Sequence, residues 1–229
     1  MADRRSPDAA IERIVAQIDS ARFDPRLLAS TRERVHRRIG GYGLRLSESD
    51  LAIIDRFHRA FAEAGLNLRF QSHGRAPQYY YPTLRDLILE RDRQGRRAGY
   101  LATDEAFQVV RGMQLRNRIV PIVGDLAGSH ALPEIAGHLR EHGLPVTAYY
   151  TSNVEFYLAA DGTLDEFVAN LRRLPRSADA VIVRSLFRLP HRESVPGYQS
   201  TQLLQPIEEL LERWDAGRIR SYRELVGGS

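Results

Sequence analysis

The sequence predicts an α/β fold: a Rossmann-like, truncated parallel sheet of about three main strands, with helices on both faces and a helical N-terminal region. Short apolar or β-branched runs, which are typical of buried strands, occur at 118–124, 146–151 and 179–185. Segments with helical apolar spacing separate these runs. Strands joined through helices of that length form right-handed parallel crossovers, which is why a parallel sheet is expected.

The first part of the chain is expected to be helical. Residues 1–99 are interpreted as a helical N-terminal region and 100–229 as the Rossmann-like domain, together forming one compact unit. Apolar spacing and capping residues predict helices at 8–18, 24–38, 47–64 and 83–93. Between the last two lies an aromatic loop, 66–82, and loops of such length are often functional.

In the second part, strands and helices are expected to alternate. Helices are predicted at 103–117, 130–142, from 154, at 163–173, at 202–214 and near 221–225. Ser or Thr followed three residues later by Glu is a capping box, and this sequence occurs at 152–155 and at 163–166. The strands should therefore be connected mainly through helices.

Composition excludes several kinds of chemistry. The chain has no Cys, and all 33 of its cationic residues are Arg. Thiolate catalysis, disulfides, cysteine-based metal sites, Schiff-base catalysis and the phosphate-loop lysine are therefore excluded. The pI is about 9.6, but the Arg residues are interspersed with acids and form no stripe, so nucleic-acid binding is not expected.

Hydropathy gives no indication of a membrane protein. No apolar run approaches the length that crosses a bilayer, and the first residues are not followed by the apolar stretch of a signal peptide. We expect a cytoplasmic protein that does not bind a membrane.

Ligands of open parallel sheets bind beyond the carboxyl ends of the strands. The predicted strands end near Asp125, at Ser152–Asn153 and at Arg184. These polar ends predict one small-molecule pocket. The candidate substrate-binding residues are Tyr79, Tyr80, Asp125, Tyr149, Tyr150, Ser152, Asn153 and Arg184.

Each polar strand end also has a structural interpretation. Asp125 is equally suited to accepting hydrogen bonds from backbone N–H groups in its own turn. Ser152 and Glu155 are explained by helix capping, which leaves Asn153 as the better ligand candidate. Arg184 is suited to an ion pair with a surface acid.

The turn 124–128 precedes a predicted helix, whose N-terminal amides could receive an anion. Gly124 and Gly128 are therefore candidate cofactor-binding residues, although the turn lacks the G-x-G-x-x-G pattern. The same glycines suit a tight turn between a strand and a helix.

The histidines show no spacing that predicts a metal site. His138 and His142 are four residues apart on a predicted helix, but no third ligand accompanies them. His73, in the aromatic loop, is the histidine best suited to acid–base chemistry. His73 and Asp125 are the candidate catalytic residues.

Three segments carry a family resemblance: Y-L-A-T-D-E-A-F at 100–107, I-V-P-I-V-G-D-L-A-G at 119–128 and A-Y-Y-T-S-N-V-E-F-Y-L at 148–158. With the ending A-G-R-I-R-S-Y at 216–222, they resemble an uncharacterised bacterial family. Members of that family look like class I S-adenosylmethionine-dependent methyltransferases in fold. The resemblance extends from about residue 34 to the C-terminus.

The resemblance implies a methyltransferase-like sheet and suggests S-adenosylmethionine as the cofactor. Longer members of the family begin with a further strand, a glycine-containing turn and a second strand that ends in an acid. This chain has no such region ahead of residue 34. The cofactor-binding half of the sheet is therefore expected to be missing.

A missing half would leave the strand at 119–123 on an open edge, where an apolar strand promotes aggregation. We expect the N-terminal helices, a second copy of the chain or a partner subunit to cover it. Three functions stay open: a small-molecule transferase, a non-catalytic binding or interaction module, and one subunit of a split enzyme.

Overall fold

The computed structural model describes residues 7–71, 76, 78–187 and 189–227, with the side chains of 7–10 left out. The chain divides into two compact units, Met1–Val120 and Pro121–Ser229. We call them the first unit and the second unit. The expected boundary at 99–100 falls inside the first unit.

The first unit is helical over the described residues, as the sequence predicts. Its helices are α1 (Pro7–Ser20), α2 (Pro25–Gly40), α3 (Glu48–Ala64), α4 (Leu84–Leu89) and α5 (Asp104–Leu115). Asp24 caps α2, and the capping boxes of Ser47 and Thr83 begin α3 and α4. Helix α4 is shorter than predicted, because the chain leaves the helical conformation at Glu90.

Polar contacts join the helices of the first unit. His36 Nε2 lies 2.7 Å from Asp55 Oδ1 and links α2 to α3, while Arg85 Nη1 donates to Asp19 Oδ2 at 2.9 Å and links α4 to α1. Neither α2 nor α3 contains a buried residue. The first unit therefore buries little apolar side chain along these two helices.

The second unit contains all the described strands. They are β1 (Val146–Ser152), β2 (Arg176–Phe187) and β3 (Ser200–Pro206), with helices α6 (Ala131–Glu141), α7 (Val154–Ala160), α8 (Leu164–Arg173), α9 (Ile207–Asp215) and α10 (Tyr222–Val226). The sheet order is β1-β2-β3. Strands β1 and β2 are parallel, and β2 and β3 are antiparallel. The α/β prediction is confirmed, but only one of the two strand pairs is parallel.

The predicted strand at 118–124 is wrong. These residues adopt no strand, and Val120, Ile122 and Val123 are exposed, Val123 completely. Pro121 gives a physical reason, because proline has no N–H to donate to a neighbouring strand and is confined to edges and strand ends. An apolar run is not enough to specify a buried strand when its middle residue cannot pair on both sides.

The predicted helix at 202–214 is wrong in its first part. Residues 202–206 belong to β3, and α9 begins only at Ile207. Burial alternates along β3, with Thr201, Leu203 and Gln205 facing inward. This period of two is the signal of a strand, and Pro206 separates it from the helix that follows.

The core of the second unit lies between the sheet and its helices. Strand β2 contributes Ala180 and Ile182 to this core, and α8 and α9 contribute Phe167, Leu171 and Leu210 among others. These side chains are almost completely buried. Their burial supplies the main favourable free energy of folding in this unit.

Among the described residues, the opposite face of the sheet is largely exposed, although Ser185 on this face is buried. Tyr150, Val183 and Leu204 are paired across the three strands and share this face, on which Tyr150 and Leu204 are more than 60% exposed. Ala148 and Gln202, on the same face, are exposed too. The prediction of helices on both faces is therefore wrong for the described part of the second unit.

We expect the two faces of the sheet to respond differently to truncation. Leu210→Ala empties a site in the core and should lower the free energy of unfolding by about 2–5 kcal/mol. Leu204→Ala, on the uncovered face, should change it by no more than about 0.5 kcal/mol. Urea unfolding followed by circular dichroism measures both, and equal losses would show that the exposed face is packed in solution.

Candidate functional site

The structure brings three of the predicted site residues together at the carboxyl ends of the parallel strands. Ser152 at the end of β1 is in register with Arg184 on β2. The hydroxyl oxygen of Tyr150, whose register partner on β2 is Val183, lies 3.2 Å from Ser185 Oγ. Gln202 on β3 donates to the same Ser185 oxygen at 2.8 Å. Polar groups of all three strands therefore meet at this end of the sheet.

A buried ion pair lies beneath this polar end. Arg184 donates from Nε to Glu155 Oε2 at 2.8 Å and from Nη2 to Glu155 Oε1 at 3.2 Å. Its Nη1 donates to Gln205 Oε1 at 2.8 Å. All three residues are only 1% exposed. The two-pronged geometry matches a planar guanidinium to a carboxylate, which is the strongest form of this interaction.

The network continues to the surface. Gln205 Nε2 donates to Glu209 Oε1 at 3.1 Å, and Glu209 is exposed on α9. Gln205 therefore uses its carbonyl oxygen toward Arg184 and its amide toward Glu209. Both ends of the amide are satisfied, as buried polar groups require.

Local sequence explains how these side chains reach the core. Ile182, Arg184 and Leu186 alternate along β2 and point to the same face. Glu155 lies in the first turn of α7, directly after β1. The chain passes from β1 to α7 through Ser152, whose φ of +53° is rare for a residue other than glycine.

The structure corrects two interpretations of these residues. The capping box at 152–155 is wrong, because Asn153 precedes the helix without a side-chain cap and Glu155 binds Arg184 instead. The capping box at 163–166 is wrong as well, since Thr163 Oγ1 donates to Leu158 O. The expected partner of Arg184 is an acid, but a buried one and not a surface one.

Sequence reasoning missed Gln205 and the true role of Glu155. One sequence signal could have indicated them. Burial alternates along a strand, and a polar residue at one of the inward positions indicates a buried polar contact. Arg184 and Gln205 both occupy such positions. Polar residues at core positions usually have a polar partner in the core, so each predicts the other.

Burial and the charge of Glu155 raise the pKa of Tyr149 to about 12. The same two causes raise the pKa of Tyr222, while the charge of Arg184 opposes them. The fold therefore favours the neutral form of Tyr149. Because its pKa is higher in the folded chain than in the unfolded chain, this contribution to stability is present below pH 10.0 and is lost as the pH rises through about 12.

The predicted turn at 124–128 is held within the second unit by two sets of hydrogen bonds. Asp125 Oδ1 accepts from the Ala127 N–H at 2.9 Å, which is the structural role that the sequence offered as an alternative. Asn170 on α8 is buried, and its Nδ2 donates to Leu126 O at 3.0 Å and to Gly128 O at 2.8 Å.

Packing within the chain explains both glycines of this turn. A Cβ added at Gly124 would lie 2.2 Å from the Cβ of Ala131, and one at Gly128 would lie 3.2 Å from the Cβ of Asp125. The space that the missing side chains leave is therefore occupied by this chain. It does not form a cradle for a cofactor.

The remaining candidates lie apart or are not described. Tyr79 and Tyr80 belong to the first unit, where their rings meet edge to face at 5.4 Å between centroids. Arg69 donates from Nη1 to the Tyr79 carbonyl at 3.2 Å, which orders this part of the aromatic loop. His73 lies outside the described residues.

The described part of the chain contains no group of three or more His, Cys, Asp and Glu side chains that could hold a metal ion. His138 and His142 stack on α6 with ring centroids 4.2 Å apart, and His142 Nδ1 lies 2.9 Å from the His138 carbonyl oxygen. No helix among the described residues is long and apolar enough to cross a membrane.

Comparison with known families gives a match over most of the chain. The model of a family described as "Domain of unknown function (DUF7790)" matches residues 51–224. The match covers well over half of the chain, which therefore belongs to this family. None of the curated proteins matches the chain.

We expect Gly124→Ala to destabilise the turn, because its Cβ would overlap the side chain of Ala131. The free energy of unfolding should fall by about 1–3 kcal/mol. Gly137→Ala is the matched control, since a Cβ at this position on α6 meets nothing within 4 Å. It should raise the stability by about 0.5–1 kcal/mol. Chemical denaturation of both variants measures the difference, and a neutral Gly124→Ala would contradict the close packing.

Glu155→Gln should strongly destabilise the second unit, because it leaves the charge of Arg184 buried without a counter-ion. The expected loss is about 3–5 kcal/mol. The pKa of Tyr149 should also fall below about 12, since the charge of Glu155 contributes to its elevation, while burial keeps it above 10.0.

Chemical denaturation measures the stability, and absorbance of tyrosinate measures the pKa. Because the chain has ten Tyr, the titration of Tyr149 is obtained as the difference between each protein and the same protein carrying Tyr149→Phe. Glu208→Gln is the control: it breaks the ion pair with Arg176 near the surface, which should change stability by about 0–1 kcal/mol. Equal losses in the two variants would contradict a special role for the buried pair.

Proposed function

We propose that this DUF7790 member is a cytoplasmic, methyltransferase-like subunit that binds a small molecule at the carboxyl ends of its strands and acts as part of a larger assembly. In this proposal, another polypeptide pairs with segment 119–123, which then forms a strand beside β1. The observation that carries the proposal is the exposed apolar segment 119–123. The resemblance to methyltransferase-like proteins supports the class of fold and chemistry.

Chain topology supports completion at this edge. Strand β1 lies at one end of the sheet order, and its outer edge has no strand partner among the described residues. The segment 119–123 leads through the turn and α6 into β1. A strand, a helix and a strand in this order form a right-handed crossover with the two strands side by side. The segment therefore has the composition and the chain position of the next strand.

The uncovered face of the sheet supports the same proposal. Tyr150 and Leu204 present large apolar surfaces there, and Val183 lies between them. Parallel sheets of α/β proteins are normally covered on both faces. An exposed face that carries large apolar side chains is typical of a site that another polypeptide covers.

At the strand ends, the proposed small molecule would contact Ser152, Asn153 and Asp125. Arg184 would not touch the ligand, because its guanidinium is buried. It would act indirectly, by fixing α7 and β3 in place through its hydrogen bonds to Glu155 and Gln205. Tyr150 lies two residues before the end of β1, and the preceding residue, Tyr149, packs against the core.

The resemblance suggests S-adenosylmethionine, but the turn 124–128 does not fit this cofactor. The space at Gly124 and Gly128 is filled by Ala131 and Asp125, and the carboxylate of Asp125 bonds to its own turn. This turn therefore offers no site for the cofactor. In a split enzyme, the other polypeptide would supply the cofactor site.

A non-catalytic interaction module is the second candidate. The hydrogen bonds among Tyr150, Ser185 and Gln202 favour it. These side chains already bind each other, so they do not require a ligand as a hydrogen-bond partner. The two functions share the assembly and differ in whether a small molecule binds at the strand ends.

Val123→Asp should prevent assembly, because it places a charge in the proposed apolar interface. The chain should stay folded, because the side chain of Val123 is fully exposed. Native mass spectrometry should show the wild-type chain in a complex heavier than 26.0 kDa, either with a second copy or with a partner retained from its own cells. The variant should appear as the monomer. A charge placed in an apolar interface reduces affinity by about 2 kcal/mol or more.

Val109→Asp is the matched control, since it places the same charge at an exposed apolar position on α5. It should assemble like the wild type. Hydrogen exchange at residues 119–123 gives an independent measurement, because strand pairing protects the amides. A monomeric wild-type chain with rapid exchange at 119–123 in its own cell extract would overturn the proposal.

A further inference from the structure

The second unit has an open groove of about 660 Å³ on its helical side. It lies where α7, the start of α8, the end of α9 and the residues before α10 meet. The residues that line it include Phe156, Asp165, Trp214, Ile219, Arg220 and Tyr222. A volume of this size is within the range of small-molecule sites, about 300–1,000 Å³.

Aromatic rings form much of the groove. Phe156 and Tyr222 meet edge to face, with ring centroids 5.4 Å apart and an interplanar angle of 81°. Trp214 is half-buried and packs against the core. The small residues Ala159, Ala160 and Gly162 also line the groove, which leaves room beside the rings. Such a wall favours a ligand with a flat ring.

Two opposite charges line the same groove without neutralising each other. Asp165 is exposed in the first turn of α8 and forms no ion pair with a described residue. The Arg220 guanidinium donates from Nε to Gly217 O at 3.1 Å and forms no ion pair with a described residue, while the backbone N–H of Arg220 donates to Glu224 Oε2 at 2.7 Å. Nearby, Arg172 and Asp215 do form an ion pair. The groove therefore offers both an acceptor for a cation and a donor for an anion.

We propose that this groove binds a small zwitterionic molecule with an aromatic ring, such as an aromatic α-amino acid. The ring would pack among Phe156, Trp214 and Tyr222. The ammonium group would bind the Asp165 carboxylate, and the carboxylate would bind the Arg220 guanidinium. This site is separate from the strand ends and does not depend on the proposed assembly.

Trp214 is the chain's only tryptophan, so its fluorescence reports on this groove alone. The probe is L-phenylalanine, which does not emit when tryptophan is excited selectively. Titration should change the emission of Trp214 in a saturable manner. Three related compounds each lack one recognised group: 2-phenylethylamine lacks the carboxylate, 3-phenylpropionate lacks the ammonium group and L-alanine lacks the ring. Each should bind at least about tenfold more weakly than L-phenylalanine, because it lacks one charge-assisted hydrogen bond or the ring contact.

Variants separate the two charges. Asp165→Asn should weaken the binding of L-phenylalanine about tenfold and leave that of 3-phenylpropionate unchanged, because the latter has no ammonium group. Arg220→Gln should do the reverse, weakening L-phenylalanine but not 2-phenylethylamine. Glu166→Gln is the control, since Glu166 follows Asp165 on α8 but does not line the groove.

Asp165 and Arg220 are exposed, so their variants are expected to fold, and circular dichroism verifies this. No saturable change in Trp214 emission with L-phenylalanine would overturn the proposal. Equal binding of all four compounds, or an effect of Glu166→Gln as large as that of Asp165→Asn, would overturn it as well. A failure of assembly in the preceding experiments leaves these outcomes unaffected, so the two proposals are tested separately.

Discussion

Arg184 brings a positive charge into the core of the second unit, and its neighbours are arranged to accommodate that charge. Glu155 supplies the opposite charge from the first turn of α7, and Gln205 supplies a neutral acceptor from β3. One guanidinium thus connects β2 with β3 and with α7, the helix that follows β1. Removing a charge from water is unfavourable unless nearly all its hydrogen bonds are replaced. The position of α7 relative to the sheet is therefore tightly specified.

The same constraint determines what the carboxyl end of the sheet can do. Arg184 is too deeply buried to bind a ligand, so its influence on this edge passes through the backbone of β2 and the adjacent Ser185. Ser152, in its left-handed conformation, and Asn153 are the residues that this frame leaves at the edge. A rigid base of this kind is what a precise binding site needs, because side chains placed on fixed strands lose little freedom when they bind.

Local patterns in the sequence predicted the helices of the first unit and strands β1 and β2, because capping residues and apolar runs act over short distances. They failed where the conformation or role of a residue depends on a partner that is distant in the sequence. The run at 118–124 has the composition of a buried strand, but pairing requires a neighbour that the sequence does not reveal. Glu155 fits a capping box as well as an ion pair, and only the position of Arg184 distinguishes the two. At the candidate site, the strand ends were predicted from topology, whereas Gln205 depended on recognising β3.

The segment at 118–124 also contains and adjoins residues that oppose aggregation. Its apolar residues are divided by Pro121 and flanked by Arg118 and by Asp125. Charges and prolines at such places act as gatekeepers, because they oppose the stacking of identical strands from different molecules. These residues therefore oppose fibril formation through the exposed apolar segment, and they also restrict which strands can pair with it.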